Sequence, residues 1–238
     1  MFPTNQCFQP RWHFQHDKTG IVRFMTAGKT WIATTITAAA CLLAVAISPL
    51  AAVSQDPLDV LDSKFLTGQL LIAAPDMSDP RFRNSVIYMV SHDEKGAFGL
   101  IINKMLSDEP FEKLMAKDAP PIDTEGRTIR IHFGGPVEFG QIFVLHTPDY
   151  VGEDTVVVND TFAMTPGEDS ALLIALAKGK GPRHSILALG YAGWSPGQLE
   201  SELNAEAWVT TTPDESFVFD KDLTDKWQRA YDRREFTL

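Results

Sequence analysis

Three apolar runs of strand length, Gly68 to Ala74, Ser85 to Ser91 and Ala97 to Asn103, follow one another with only Pro/Asp and Asp/Gly punctuation between them. They are rich in Ile and Val and too short for core helices, so they commit this stretch to β-structure. The connection His92-Asp93-Glu94-Lys95-Gly96 has turn chemistry, with Gly96 free to take positive φ, and predicts that the last two runs pair as a hairpin. Further strands are predicted at Ile129 to Phe133, Gln141 to His146, Thr155 to Val158 with Thr161 to Met164, His184 to Tyr191, Trp208 to Thr211 and Ser216 to Phe219. Helices are predicted at Pro110 to Lys117, Pro166 to Lys178, Ser195 to Asn204 and Leu223 to Arg233. Strands outnumber helices and do not alternate with them regularly, which points to an α+β fold rather than a doubly wound sheet.

Residues 56–238 contain no repeat and no dividing linker, so one domain is expected there, behind an N-terminal extension over 1–55. Within the extension, residues 31–53 run 23 positions without a charge, after Lys29 and before Ser54-Gln55-Asp56. Ala38 to Ile47 supplies a short apolar core, Ser48-Pro49 a break, and Ala52-Val53-Ser54 the small residues a signal peptidase reads, with cleavage after Ser54. The stretch is also long enough to anchor in a bilayer, for which roughly 20 residues suffice, although its Ala, Thr and Pro49 make it weakly apolar. Membrane contact is therefore expected through residues 31–53 alone, with the domain anchored or exported to the periplasm. A core helix of a cytoplasmic protein is the alternative. Translation from Met1 and from Met25, which opens a normal basic lead, both fit. Cys7 and Cys41 both precede residue 55, which leaves the domain no disulfide or thiolate chemistry.

The chain carries 21 Lys and Arg against 31 Asp and Glu, a net charge of −10. Four of the basic residues and one acidic residue lie before Asp56, so the domain itself stands at −13. A surface of that sign repels phosphate backbones and argues against direct DNA binding.

Gly193-Trp194-Ser195-Pro196-Gly197 spells a nucleophile elbow between a strand and a helix. An elbow uses the backbone N–H after the serine in its oxyanion hole, however, and Pro196 has none. The alternative explains more residues: Ser195 as N-cap, Pro196 at the first helical position and Gln198 closing a capping box. His92-Asp93-Glu94 reads as a solvated hairpin tip rather than a metal site, since adjacent turn residues rarely converge on one ion. His132 and His146 read as hydrogen-bonded structural histidines in apolar strands. Gly134-Gly135-Pro136 lacks the P-loop lysine and reads as a tight turn. No catalytic residue, metal ligand or cofactor is assigned.

Leu70-Leu71-Ile72-Ala73-Ala74-Pro75, Asp79-Pro80-Arg81-Phe82 and Gly99-Leu100-Ile101-Ile102-Asn103-Lys104 resemble the bacterial AlgH/YqgE family, also called UPF0301 or DUF179. Gly134-Gly135-Pro136-Val137, Val144-Leu145-His146 and Gly190-Tyr191-Ala192-Gly193-Trp194 with Gly197-Gln198-Leu199-Glu200 continue the resemblance over about residues 64–231. It implies an α+β fold whose bifurcated mixed sheet forms a pseudo-barrel with flanking helices. It implies no established activity, since the family is labelled only as transcriptional regulators. The expected role is a non-catalytic binding or regulatory module with a protein or small-molecule partner; a hydrolase of nuclease or esterase type is the alternative. Asn103, Gly134, Gly135, Pro136, His146, Tyr191, Trp194, Gln198 and Glu200 fall at strand ends or in a first helical turn, and are expected to converge on one ligand-binding cleft.

Overall fold

The computed structural model describes residues 65–114, 122–167 and 171–234, all within the unit Phe65–Leu238. The apolar stretch 31–53, with the rest of residues 1–64, lies outside the described residues. Among the described residues the strands are Leu70–Ala73 (β1), Val86–Asp93 (β2), Gly96–Ile101 (β3), Met105–Pro110 (β4), Thr128–Phe133 (β5), Val137–His146 (β6), Val156–Val157 (β7), Ala163–Pro166 (β8), Ser185–Trp194 (β9) and Trp208–Thr211 (β10). The helices are Ala171–Ala177 (α1), Gln198–Asn204 (α2), Glu215–Val218 (α3) and Lys226–Asp232 (α4).

These strands form one mixed sheet in the order β10-β1-β2-β3-β9-β6-β8-β7, with β5 added to β9 and β4 to β5. β9 is the branch point. Its first half pairs parallel with β5 through Ile131 and Leu187 and antiparallel with β6 through Val144 and Leu187, while its last residues pair antiparallel with β3 through Ala97 and Trp194. The break falls at Gly190, whose φ of +68° re-aims the strand between its two sets of partners. The resulting sheet is bifurcated and curls into a half-barrel, so the α+β expectation holds.

The unbroken apolar runs are explained by burial on both faces. Leu70, Leu71, Ile72 and Ala73 are all within 1% of full burial, as are Val86, Ile87, Tyr88 and Met89. On one side Leu71, Ile87, Met89 and Ile101 pack with Trp194, Leu199 and Trp208. Phe111, Ile131, Val144 and Leu187 pack under Leu172, Leu173 and Ala177 of α1 in a second cluster.

Several predicted elements differ in the structure. The expected hairpin forms with Asp93 opposite Gly96, the Asp93 carboxylate accepting from the Lys95 N–H at 2.7 Å. His92, however, is not at a solvated tip but 4% exposed inside β2. β4 was not anticipated: its Met105 and Leu106 are nearly half exposed, and its polar composition carries no burial signal. Pro110 closes β4, so the helix expected from Pro110 is reduced to the 3-10 turn Phe111–Lys113 before residues 115–117 leave the described chain. Pro166, where the next helix is expected to begin, instead ends β8, paired with Phe143; residues 168–170 lie outside the described residues, and α1 is described over Ala171–Ala177. Of the strand expected at Ser216 to Phe219, Ser216 to Val218 is helical and Phe219 is the C-cap, because the Asp214 carboxylate caps α3 by accepting from the Phe217 N–H at 2.8 Å.

The capping account of Ser195 is also corrected. The Ser195 C=O accepts from the Gln198 N–H at 3.0 Å, and Gly197 sits at φ +76° and ψ −7°. Ser195-Pro196-Gly197-Gln198 is thus a type II turn leading into α2, and only the Gln198 half of the capping box exists, its Oε1 accepting from the Ser195 N–H at 3.1 Å. Ser195→Ala is therefore expected to stay within about 0.5 kcal/mol of the parent in urea unfolding. Gly197→Ala, which has no steric neighbour within 4 Å, should cost about 1 kcal/mol through φ alone.

Candidate functional site

The nine residues singled out in the sequence fall into several environments. Asn103 locks the end of β3 to the loop before β2, its Oδ1 accepting from the Val86 N–H and its Nδ2 donating to the Asn84 C=O, each at 2.8 Å. Gly134 and Gly135 lie where the β5–β6 connection crosses β9: a Cβ on Gly134 would sit 2.2 Å from the Gly190 oxygen, and one on Gly135 2.0 Å from the Tyr191 carbonyl carbon. Pro136 follows, half-buried. The fully buried His146 spans the Thr147 C=O and the Thr165 hydroxyl, each at 2.8 Å. Tyr191 is core, stacked on Phe98 at 4.6 Å, and burial pushes its phenol up to about 12.

Trp194, Gln198 and Glu200 belong to the junction of β9 and α2. Glu202, which the sequence reading did not single out, organises it: Oε2 accepts from the indole N–H of both Trp194 and Trp208 at 2.8 Å, and Oε1 from Gln198 at 3.0 Å. Phe82 stands 6.3 Å from Trp194 and 5.6 Å from Trp208. Its own loop is held by Asp79, which grips Arg81 at 2.6 Å, and by Lys104, which donates to the Arg81 C=O at 2.8 Å. The Arg81 hydrogen bonds hold the Asp79 carboxyl below its ordinary range. Glu200 instead faces His92: Oε1 lies 3.4 Å from Nε2, while Nδ1 of the same ring accepts from the Leu66 N–H at 3.0 Å.

None of the nine borders the cleft of about 370 Å³ that opens between β5, the start of β9 and the segment after α3. Arg130 and His132 come from β5, Arg183 and His184 from the entry to β9, Phe219, Asp220 and Lys221 from the segment after α3, and Asp108 from β4. β4 and β5 are held in register by the Asp108–Arg130 pair of the ladder, which places those two side chains together at the rim. Arg130 donates to the Lys221 C=O at 2.7 Å and lies 3.5 Å from Asp108. Arg183 grips Glu215 with bonds of 3.0 Å to both carboxylate oxygens. The His184 ring stacks on Phe219 at 5.6 Å and 23°. Behind the cleft Lys226 is fully buried, donating to the Val218 and Asp220 carbonyls at 2.7 and 3.0 Å, and burial lowers its ammonium to about 8. Asp220 pairs with Arg229 at 2.7 Å. Among the described residues no three His, Cys, Asp or Glu side chains converge as metal ligands.

The cleft residues could have been found in the sequence only as isolated charges. Arg130, Arg183 and Lys221 are 91 positions apart at their extremes and belong to no motif; the parallel pairing of β5 with β9 and the Arg130 bond to the Lys221 C=O bring them together.

Burial lowers the His132 imidazole to about 4, with the Lys226 and Arg130 charges acting in the same direction, and burial also lowers His146. A histidine whose folded value lies below its unfolded 6.5 favours the neutral form in the fold, so its contribution is complete above pH 6.5 and is lost as pH falls towards 4. Urea midpoints should therefore fall over pH 6.5 to 4, and His132→Gln should flatten that fall. An unchanged profile in the variant would refute the assignment.

A branched half-barrel sheet carrying an aromatic clamp at one strand junction and a charged cleft at another defines a small α+β domain. The AlgH-like family model, DUF179, matches residues 70–238, and the chain belongs to that family. A UPF0301 protein of Cereibacter sphaeroides is 45% identical over 163 residues, 68% of this chain and 88% of its own. One from Afipia carboxidovorans is 45% identical over 174 residues, 70% of this chain and 82% of its own. The solution structure of the AlgH protein from Pseudomonas aeruginosa superposes with a TM-score of 0.61 at 37% identity, covering 71% of this chain and 88% of that one. A Corynebacterium diphtheriae protein at 21% identity and a TM-score of 0.56, covering 72% of this chain and 88% of its own, shares the fold.

Proposed function

We propose that this AlgH-family domain is a non-catalytic binding or regulatory module whose partner is a small molecule or a protein rather than duplex DNA. The observation that carries the reading is the 370 Å³ cleft, a size ordinary for ligand recognition, whose charged groups are held in place by ion pairs and backbone carbonyls. His132 bonds the Leu187 C=O at 3.4 Å rather than a serine or threonine hydroxyl, so it supports a positioning role over that of a general base. Ser195 lies in a turn followed by Pro196, which supports the same side of the choice. Equilibrium dialysis of the full-length protein against a bacterial small-molecule extract, followed by mass spectrometry, tests it. A compound retained and recovered unchanged is expected; consumption of the retained compound, or of ester or DNA substrates, would establish the hydrolase alternative.

The 31–53 stretch is proposed to direct the domain to or across the membrane, leaving the domain itself free of membrane contact. Among the described residues no helix is long and apolar enough to cross a bilayer. A reporter enzyme fused after Asp56 should be active in the periplasm of a suitable host, and activity confined to the cytoplasm would place the domain there instead.

A further inference from the structure

In a chain of net charge −10, the cleft beside β5 gathers Arg130, Arg183 and Lys221 with the half-exposed His184 ring. Two of these cations meet carboxylates, Arg183 gripping Glu215 at 3.0 Å and Arg130 lying 3.5 Å from Asp108, while Asp220 pairs with Arg229 at 2.7 Å. The Arg130 guanidinium holds the Lys221 backbone through one N–H, which sets the guanidinium edge and the Lys221 residue side by side at the mouth. The exposed Lys221 ammonium has no ion-pair partner among the described residues. Guanidinium and ammonium in one mouth suit an oxyanion, the guanidinium by fork geometry and the ammonium as a point charge. In the same cleft the His184 and Phe219 rings stack at 23°, and Phe219 is backed in turn by Phe162 at 5.8 Å. A stack of this kind suits a planar ring. On the floor, His132 donates from Nδ1 to the Leu187 carbonyl, which leaves Nε2 of the neutral ring an acceptor for a ligand hydroxyl or amine.

We infer that this cleft binds a small organic anion, a phosphate or carboxylate on a flat ring, with its oxyanion on Arg130 and Lys221 and its ring against the His184–Phe219 stack. This rests on the reading of the domain as a binding module, and the two can fail separately.

The test is calorimetric titration of the full-length protein with AMP and with salicylate, which carry a ring with a phosphate or with a carboxylate, and with adenosine and inorganic phosphate, which carry one half each. Saturable binding of at least one ring-bearing anion is expected, with the half-ligands weaker by about tenfold or more, as the loss of one charge-assisted contact implies. Lys221→Gln, at an exposed position that leaves the fold intact, should weaken the bound anion by about tenfold, and raised salt should weaken the parent in the same direction. His184→Ala should weaken the ring-bearing anion while leaving inorganic phosphate unchanged. AMP and salicylate both failing to saturate, adenosine binding as tightly as AMP, or K221Q binding like the parent would each overturn the inference while leaving the module reading in place. Release of phosphate from AMP in the calorimeter cell would instead overturn the non-catalytic reading.

Discussion

Gly135→Ala is expected to destabilise the domain by about 4 kcal/mol, a large share of the stability of an ordinary domain. The added Cβ would lie 2.0 Å from the Tyr191 carbonyl carbon, 2.2 Å from its oxygen and 2.3 Å from the Ala192 nitrogen. These are backbone atoms of the strand on which the sheet branches, so no side-chain rotation relieves the contact. The connection would have to lift off β9. It would then strain the Gly134 N–H bond to the Leu189 C=O at 2.8 Å and the Ile101 N–H bond to the Gly134 C=O at 2.9 Å. Overpacking of this kind costs about 1–3 kcal/mol, and each weakened backbone bond about 1 kcal/mol more. Gly140→Ala, with nothing within 4 Å of its Cβ, is the matched control and should be neutral. Urea unfolding followed by circular dichroism distinguishes the two; a G135A midpoint equal to the parent's would mean the crossing is looser than the structure has it.

Glu202→Ala should cost about 3 kcal/mol and change the tryptophan emission. The carboxylate is the shared acceptor of two indole N–H groups, on Trp194 and Trp208, whose side chains are 96% buried. Its removal takes the acceptor from both part-buried donors, at about 1–3 kcal/mol per donor. Glu202→Gln keeps an oxygen able to accept from both indoles and should lose less than half as much. Thermal unfolding with fluorescence detection checks both variants; equal losses for E202A and E202Q would indicate that the negative charge, not the shared acceptor, is what the indoles require.

The core strands β1, β2 and β3 were legible in the sequence because burial on both faces leaves unbroken apolar runs, and because a hairpin is encoded by its own local turn. β4 and α3 were not. β4 is an exposed edge whose Met105-Leu106-Ser107-Asp108-Glu109-Pro110 sequence becomes extended by pairing with β5, a partner some twenty residues away. α3 is one turn long and depends on the Asp214 cap, too little sequence for a period to register. His92 illustrates the same limit: its neighbours Asp93 and Glu94 look like a solvated tip, but the ring is turned inward and held by the Leu66 N–H.

Local chemistry along the chain thus determined the α+β class, the central hairpin, the net acidity of the domain and its kinship with the AlgH-like family, since each depends on composition, short periodicity or contiguous motifs. The branching of the sheet at Gly190, the Glu202 bridge between two tryptophans and the cleft under Arg130 and Lys221 were decided only in three dimensions. Each joins residues from separate elements, and the free energy that holds them together, backbone pairing and the burial of facing side chains, exists only once the strands have crossed.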